Sequence, residues 1–397
     1  SESVQDWEGG GTHKDKAVEY VYATTTGNLL RQIERGEVTG STDGTYTDTG
    51  SDSRTTVFTY SATTSANLTL PTSKTVLSHA STTVAQTRFY YDGQSLGSAT
   101  KGNLTKEENW ITGASYASST KEYDIRGLVG TTTDPRGNKT TYAYDTFKLY
   151  PATTTNALGH VTTYSYDYTK GEPKFTKDAN GSMKTTVFDP VGRVKQEWQS
   201  DITSPATLVM TKEYTYTDTF PSRTQTRSYL NASTTIDSYE YRDGLGRIVQ
   251  ERNQAEDSDT FSVKDHQYNS AGLPYKESLP YFASGSARSA ATVNTALYSV
   301  NTYDALQRPK SITTAVGSTT FTYTPWQTRT TDGNGNLKDT IKDAHENLAQ
   351  VVEYNNGSAY TTSYTYNELG NLTRITDALS NIRNFTYDGL GRRTNAE

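Results

Sequence analysis

Polar and apolar positions along this chain alternate with period two, in short runs separated by turn-forming residues. The run Lys139-Thr140-Thr141-Tyr142-Ala143-Tyr144 is representative. Successive side chains of an extended chain point to opposite faces, so this run reads as a strand with Tyr142 and Tyr144 on one face. Leu128-Val129-Gly130-Thr131-Thr132-Thr133 reads as a returning strand. Asp or Asn opens each intervening turn by bonding the backbone two residues on, and Gly or Asn tolerates positive φ at its end. The smallest unit this pattern predicts is a two-stranded antiparallel hairpin that its neighbours extend into a sheet.

The unit recurs. A Tyr-Asp-x-x-Gly end appears at Tyr123-Asp124-Ile125-Arg126-Gly127, Tyr144-Asp145, Tyr166-Asp167 and Phe188-Asp189-Pro190-Val191-Gly192-Arg193. It returns at Tyr241-Arg242-Asp243-Gly244-Leu245-Gly246-Arg247 (a looser copy), Tyr303-Asp304, Tyr366-Asn367-Glu368-Leu369-Gly370 and Tyr387-Asp388-Gly389-Leu390-Gly391-Arg392. A second element, Asp-x-x-Gly-Asn, precedes five of the anchors. It starts at Thr133, Thr155, Lys177, Thr331 and Thr376, and in each case the anchor follows 11 residues later. Self-similarity at a fixed period is the mark of a repeat architecture.

Anchors fall near residues 22, 60, 91, 123, 144, 166, 188, 216, 241, 268, 303, 323, 342, 366 and 387. Their spacing is 19–24 within 123–188 and 303–387, and 25–38 elsewhere. The expected organisation is therefore divergent repeats with long hairpin insertions over 1–122, continuous with regular repeats over 123–397. Gly40 to Arg54 and Ser61 to Ala80 read as longer hairpin loops, and Ala283 to Ala296 as a short helix or a loop. About fifteen repeats give roughly 30 strands, or ~140 Å of sheet at ~4.8 Å each. Open twisted sheets rarely exceed ~10 strands without curling or splitting. The predicted fold is all-β: an array of antiparallel hairpins forming a long curled sheet, a β-solenoid or shell wall. A single closed turn would be ~45 Å across, too wide for its own side chains to fill.

Composition changes this picture in two places. Leu, Ile, Val and Phe are sparse, which by itself points to disorder. A net charge of only −6 and 30 Tyr residues oppose that reading, because Tyr supplies buried area and favours strands. The chain has no Cys, which removes disulfides, thiol catalysis and Cys-ligated zinc. No apolar run approaches the ~20 residues that span a bilayer, so no membrane insertion by this chain is expected. A pI of about 5.5 without Lys/Arg clusters argues against nucleic acid as a partner. Ser1 to Asp15 is polar and acidic rather than a signal peptide. Export by another route, or origin as a fragment of a longer protein, is the expectation.

These residues resemble the YD-repeat, or Rhs, family, weakly before Tyr91 and strongly after Tyr123. Thr87-Arg88-Phe89-Tyr90-Tyr91-Asp92-Gly93, with Lys101-Gly102-Asn103-Leu104-Thr105-Lys106, is similar to the B component of bacterial insecticidal toxin complexes. The resemblance implies a closed β-shell that holds an unfolded toxic segment until delivery through a translocation channel. The partners it implies are an encapsulated toxin polypeptide or C-type subunit and a channel subunit. Related teneurins use a similar shell for adhesion at animal cell surfaces. The family's self-cleaving core is not matched, because the sequence stops within a repeat at Gly391-Arg392-Arg393.

Candidate chemistry is thin. Asp332-Gly333-Asn334-Gly335-Asn336, with Asp343 at the twelfth position, resembles a calcium loop, yet Leu337 stands where the required Gly belongs. His345-Glu346 lacks the second His of a zinc-protease helix, and no Gly-x-Ser-x-Gly elbow occurs. Most carboxylates are turn residues, not a hydrolytic pair. Tyr ladders could stack sugars, but cross-strand packing explains them. The sequons at Asn67 and Asn103 are what a Thr-rich chain produces by chance. No catalytic, cofactor or metal residue is assigned, and no cofactor is expected. The sequence reads as a non-enzymatic shell segment of a secreted or cell-surface protein that encapsulates a cargo polypeptide. An extracellular adhesive or glycan-binding protein is the alternative.

Overall fold

The computed structural model describes residues 2–7, 13–41, 44–62, 69–289 and 297–397. Among them are thirty-three β-strands and no α-helix. Every recorded strand pairing is antiparallel, and most join strands that are consecutive in the chain. The anticipated strand Lys139–Tyr144 forms with those bounds, and its residues alternate between exposed and half-buried as its period requires. The returning strand runs Val129–Thr133.

The chain divides into two compact units, Ser1–Lys139 with Phe321–Glu397, and Thr140–Thr320. In the first, strands pair in sequence from Glu2–Trp7 to Val129–Thr133, and again from Gln327–Thr331 to Arg393–Ala396. In the second, the ladder branches once. Strand Thr260–Tyr268 pairs along its first half with Tyr281–Ser284 and along its second half with Pro274–Ser278. Pro274–Ser278 then passes the ladder on to Tyr298–Tyr303.

The longer gaps between anchors hold more than loop. Ser61 to Ala80 contains the full strand Pro71–Leu77, in register with Arg54–Tyr60 on one side and Thr83–Tyr91 on the other. Gly40 to Arg54 is a hairpin whose short strand Tyr46–Asp48 pairs back on Val38–Gly40. The sequence hid the first because Thr and Ser, which fit a pleated surface as well as a loop, fill both. Of Ala283 to Ala296, Ala283 and Ser284 end a strand and 285–289 is irregular. Residues 290–296, like the sequon at Asn67, lie outside the described residues.

Most side chains are half-buried, as a sheet covered on few faces dictates. The second unit has the exception. Tyr239, Tyr241, Phe261 and Val263 form a buried cluster, with Val249, Tyr281 and Ala283 packed against it. Tyr239 and Phe261 meet edge to face at 5.6 Å, a favoured arrangement for aromatic pairs.

Candidate functional site: the repeat wall and its seam

The two turn motifs of the sequence are one turn in space. At Asp388-Gly389-Leu390-Gly391-Arg392, the Asp388 N–H donates to the Arg392 carbonyl (3.0 Å) and the Gly391 N–H to the Asp388 carbonyl (2.9 Å). Asp388 Oδ1 accepts from the N–H groups of Leu390 and Arg392, and Oδ2 accepts from Arg392 Nε at 2.7 Å. At Asp134-Pro135-Arg136-Gly137-Asn138 the same backbone bonds form, Oδ1 accepts from Arg136 and Asn138, and Asn138 Nδ2 replaces the Arg. The fourth residue sits at positive φ, +74° at Gly391 and +84° at Gly137. Gln307, Glu346 and Ser380 hold the same place at +64° to +68°, a conformation that costs an L-residue ~1–2 kcal/mol. One Asp thus satisfies the loop's own donors and orients a long side chain.

Most anchors follow a one-residue register shift, as at Ser165/Tyr166, Thr302/Tyr303 and Thr386/Tyr387, whereas the strand of Tyr216 pairs without one. With or without the bulge, the Tyr ring lies back over the preceding strand. Its hydroxyl donates to the carbonyl of that strand's first residue: Tyr91 to Pro71 (2.7 Å), Tyr123 to Leu104 (2.8 Å), Tyr216 to Val194 (2.7 Å), Tyr268 to Ile248 (2.9 Å) and Tyr366 to Leu348 (3.0 Å). The arginine that closes one turn covers the next anchor ring, Arg193 over Tyr216 at 4.1 Å and Arg247 over Tyr268 at 4.4 Å. Asp, Arg and Tyr therefore couple one repeat to the next. The Arg247 guanidinium, then the turn's N–H groups, hold Asp243 below the usual carboxylate range against partial burial.

Asp92 is the extreme case. Its turn is longer, and its carboxylate accepts four N–H bonds, from Thr100, Lys101, Gly102 and Asn103. Burial works to raise its pKa, but these donors outweigh it and lower the pKa to about 2.

In the first unit, the edge that carries the Tyr-Asp turns of residues 327–396 seats on the far edge of the strands of residues 13–112. Lys16 Nζ pairs with Glu346 (3.0 Å), and Lys14 Nζ lies over the Trp326 ring. His345 Nε2 bonds the Asp52 carbonyl at 2.8 Å, and Arg54 donates to the Glu368 carbonyl at 2.9 Å. Farther along, the Gly389 N–H donates to the Ile111 carbonyl at 2.9 Å. A Cβ at Gly389 would lie 2.7 Å from the Trp110 carbonyl oxygen and 2.9 Å from that of Ile111. Trp110, Ile111, Leu369 and Tyr387 border an open cleft there.

The second unit holds a fully buried polar network. Arg252 donates to Gln250 Oε1 (3.1 Å) and to the carbonyls of Ala287 (2.6 Å) and Ser284 (3.2 Å). Gln250 Nε2 donates to Asp265 (2.7 Å) and to the Ser289 carbonyl, and Tyr281 donates to the other oxygen of Asp265 (2.7 Å). Segment 284–289 is thereby strapped across the strands beneath it. Repeat spacing gave no sign of this network, because Gln250, Arg252 and Asp265 are not motif residues. Their period-two placement on two adjacent strands was the available signal.

The weighed candidates fall as follows. Asp332 spends Oδ1 on the N–H groups of Asn334 and Asn336, and Oδ2 on Asn336 Nδ2, so it caps its own turn. His345 serves the seam. Asn103 closes the Asp92 turn through its N–H. Among the described residues, no three His, Asp or Glu side chains gather as metal ligands.

A wall of similar turns tied by tyrosine and arginine is the fold of a repeat protein. Residues 343–382 and 366–396 match the RHS Repeat family model, so this stretch of the chain is similar to Rhs repeats. Three solved structures share the fold. TcdB2-TccC3 aligns with a TM-score of 0.76 at 14% identity, over 97% of this chain and 28% of that one. TcdB2-TccC3-Cdc42 gives 0.77 at 12% identity, over 97% and 30%. The Photorhabdus luminescens Tc holotoxin pore, with a substitution in TccC3, gives 0.74 at 12% identity, over 97% and 29%. The chain thus spans under a third of the length of these relatives. No curated protein matches it by sequence.

Proposed function

We propose that this chain is a structural, non-enzymatic wall segment of a secreted toxin-complex-like protein that encloses a cargo polypeptide. The observation that carries the reading is the fold likeness to toxin-complex structures over 97% of the chain. Its chemistry supports the same conclusion. Aspartates are spent on turns, arginines on aspartates and tyrosine rings, and tyrosine hydroxyls on carbonyls, so the polar groups are consumed in building a wall. The guanidinium groups that cover the faces of Tyr216 and Tyr268 weigh against the adhesive, sugar-stacking reading. Partners on this view are a C-type subunit or cargo segment and a channel subunit.

The test is protease protection and cryo-EM imaging of the native particle that contains this chain. A second polypeptide that resists trypsin until the wall is unfolded, with weak density inside a β-wall, is the expected result. An open array, or a companion polypeptide cleaved at the rate of free chain, overturns it.

A further inference from the structure

The strap at 284–289 shows how one face of the second unit holds polypeptide. Residues directly opposite each other on paired strands share a face. Across strands Ser222–Tyr229, Thr235–Arg242 and Ile248–Gln254, one such row is Arg223, Tyr241 and Gln250, and the row two residues along is Gln225, Tyr239 and Arg252. Tyr241 donates to the Ser286 carbonyl (2.6 Å), Gln250 to the Ser289 carbonyl (2.9 Å), and Arg252 to the carbonyls of Ala287 (2.6 Å) and Ser284 (3.2 Å). Every residue type carries such an acceptor. The two rows therefore grip main chain, with one bond to a side chain, from Arg252 to Ser289 Oγ (3.2 Å).

Arg223 is the member of these rows with nothing to hold. It is half-buried, and its Nε is sealed from solvent without a partner. Among the described residues its side chain makes no hydrogen bond and no ion pair, and its guanidinium carbon lies 5.4 Å from the centre of the Tyr239 ring. Two other arginines of this face are spent, Arg227 on both oxygens of Asp237 (2.9 Å each) and Arg252 on the strap. Across from Arg223 and Gln225 stand Thr217 and Thr215, which bring no carboxylate. A donor sealed from water without an acceptor costs free energy, and buried polar groups in folded proteins have partners. Arg252 shows which acceptor this face uses. It meets no carboxylate among the described residues, and main-chain carbonyls hold its fully buried guanidinium.

We infer that Arg223 binds a main-chain carbonyl of a second polypeptide, which lies beside the strap on the same face. The occupant is the enclosed companion chain, so the assignment rests on the enclosure proposed above. Bonds to main chain give affinity without reading side chains, so more than one stretch of the companion fits the place.

Photo-cross-linking in the native particle tests the site. A benzophenone side chain replaces Thr215, exposed on the face of Arg223, and, as a control, Lys212, exposed on the opposite face. Irradiation is expected to join position 215 to the companion polypeptide at several points along its sequence. Arg223→Leu should cut that yield about tenfold, the effect of one hydrogen bond to a charged group, and Arg223→Lys should restore part of it. The yield at position 212 should not follow Arg223. The melting temperature of Arg223→Leu should stay close to that of the parent, since no hydrogen bond within the chain is lost. A large fall would mark Arg223 as a structural residue and overturn the proposal. A yield at position 215 unchanged by Arg223→Leu, cross-links to a second copy of this chain, or no cross-link to a companion that trypsin cannot reach overturns the site while enclosure stands. If the particle holds no protected companion, enclosure has failed, and the purified chain decides the site. A peptide of Gly, Ser and Ala with blocked ends must then cross-link at position 215 of the parent and not of Arg223→Leu, and equal labelling of the two overturns the proposal.

Discussion

At the scale of the residue, the anchor tyrosine is a tie between strands. Tyr91 is 7% exposed, and its hydroxyl reaches the Pro71 carbonyl. Tyr91→Phe leaves that buried acceptor one bond short, so urea denaturation should show a loss of about 1 kcal/mol. Asp92 acts through charge. Its folded pKa of about 2 lies below the unfolded value of about 3.9, so its contribution is full above the unfolded value and is lost as pH falls toward 2. The turn aspartates Asp124, Asp134, Asp243, Asp332 and Asp388 are also shifted down, so they add to the same acid limb. Thermal melts of Asp92→Asn should therefore sit below wild type at neutral pH and converge on it between pH ~4 and ~2. A constant offset down to pH 2 would show that the charge of Asp92 is not what matters.

At the scale of the element, the turn is what repeats, and its use depends on what touches it. Gly389→Ala places a methyl against two backbone oxygens, which should cost about 1–3 kcal/mol and lower the melting temperature. Gly244→Ala, in the identical pentapeptide, places its methyl in open space and should leave the isolated chain unchanged. The pair of melts separates the effect of the seam from the effect of sequence. The strap at 284–289 is held by Arg252, Gln250 and Tyr241, and Arg252 makes the most bonds to it. Arg252→Leu removes the donor to the carbonyls of Ser284 and Ala287, so trypsin should cut after exposed Arg288 several-fold faster. Mass spectrometry of the first fragments reads the site. Unchanged cleavage there would mean the strap is held by something other than Arg252.

At the scale of the whole chain, burial is uneven, and the last parts to open should be the best buried. Within the second unit these are Tyr239 and Tyr241, Gln250 and Arg252, and Phe261 and Val263, on three consecutive strands. Their amides should be the slowest to exchange, and those of the terminal strand Arg393–Ala396, exposed at every position, among the fastest. Hydrogen exchange with peptide-level readout checks the order. In the first unit, the exposed pair Lys16–Glu346 adds little, because solvent screens it. The bonds to backbone carbonyls made by Gly389, His345 and Arg54 hold that seam instead.

The alternation of Thr and Tyr, the turn residues and the 11-residue spacing determined by themselves that the chain would be antiparallel hairpins. These are local matters, decided within ten residues by φ, side-chain direction and self-bonding aspartates. Tertiary structure alone decided what those residues do to one another. The tyrosine hydroxyl finds its carbonyl 15–31 residues away in most repeats, on a strand that no motif announces. Gly389 and Gly244 are identical in their five-residue sequence, yet one is packed against Trp110 and Ile111, more than 270 residues away in the chain, and the other is bare. Arg252 carries no mark in the repeat, because its partners come from a segment that leaves the ladder and folds back across it. Local chemistry sets the hairpin, but contacts between residues far apart in the chain depend on how the hairpins stack.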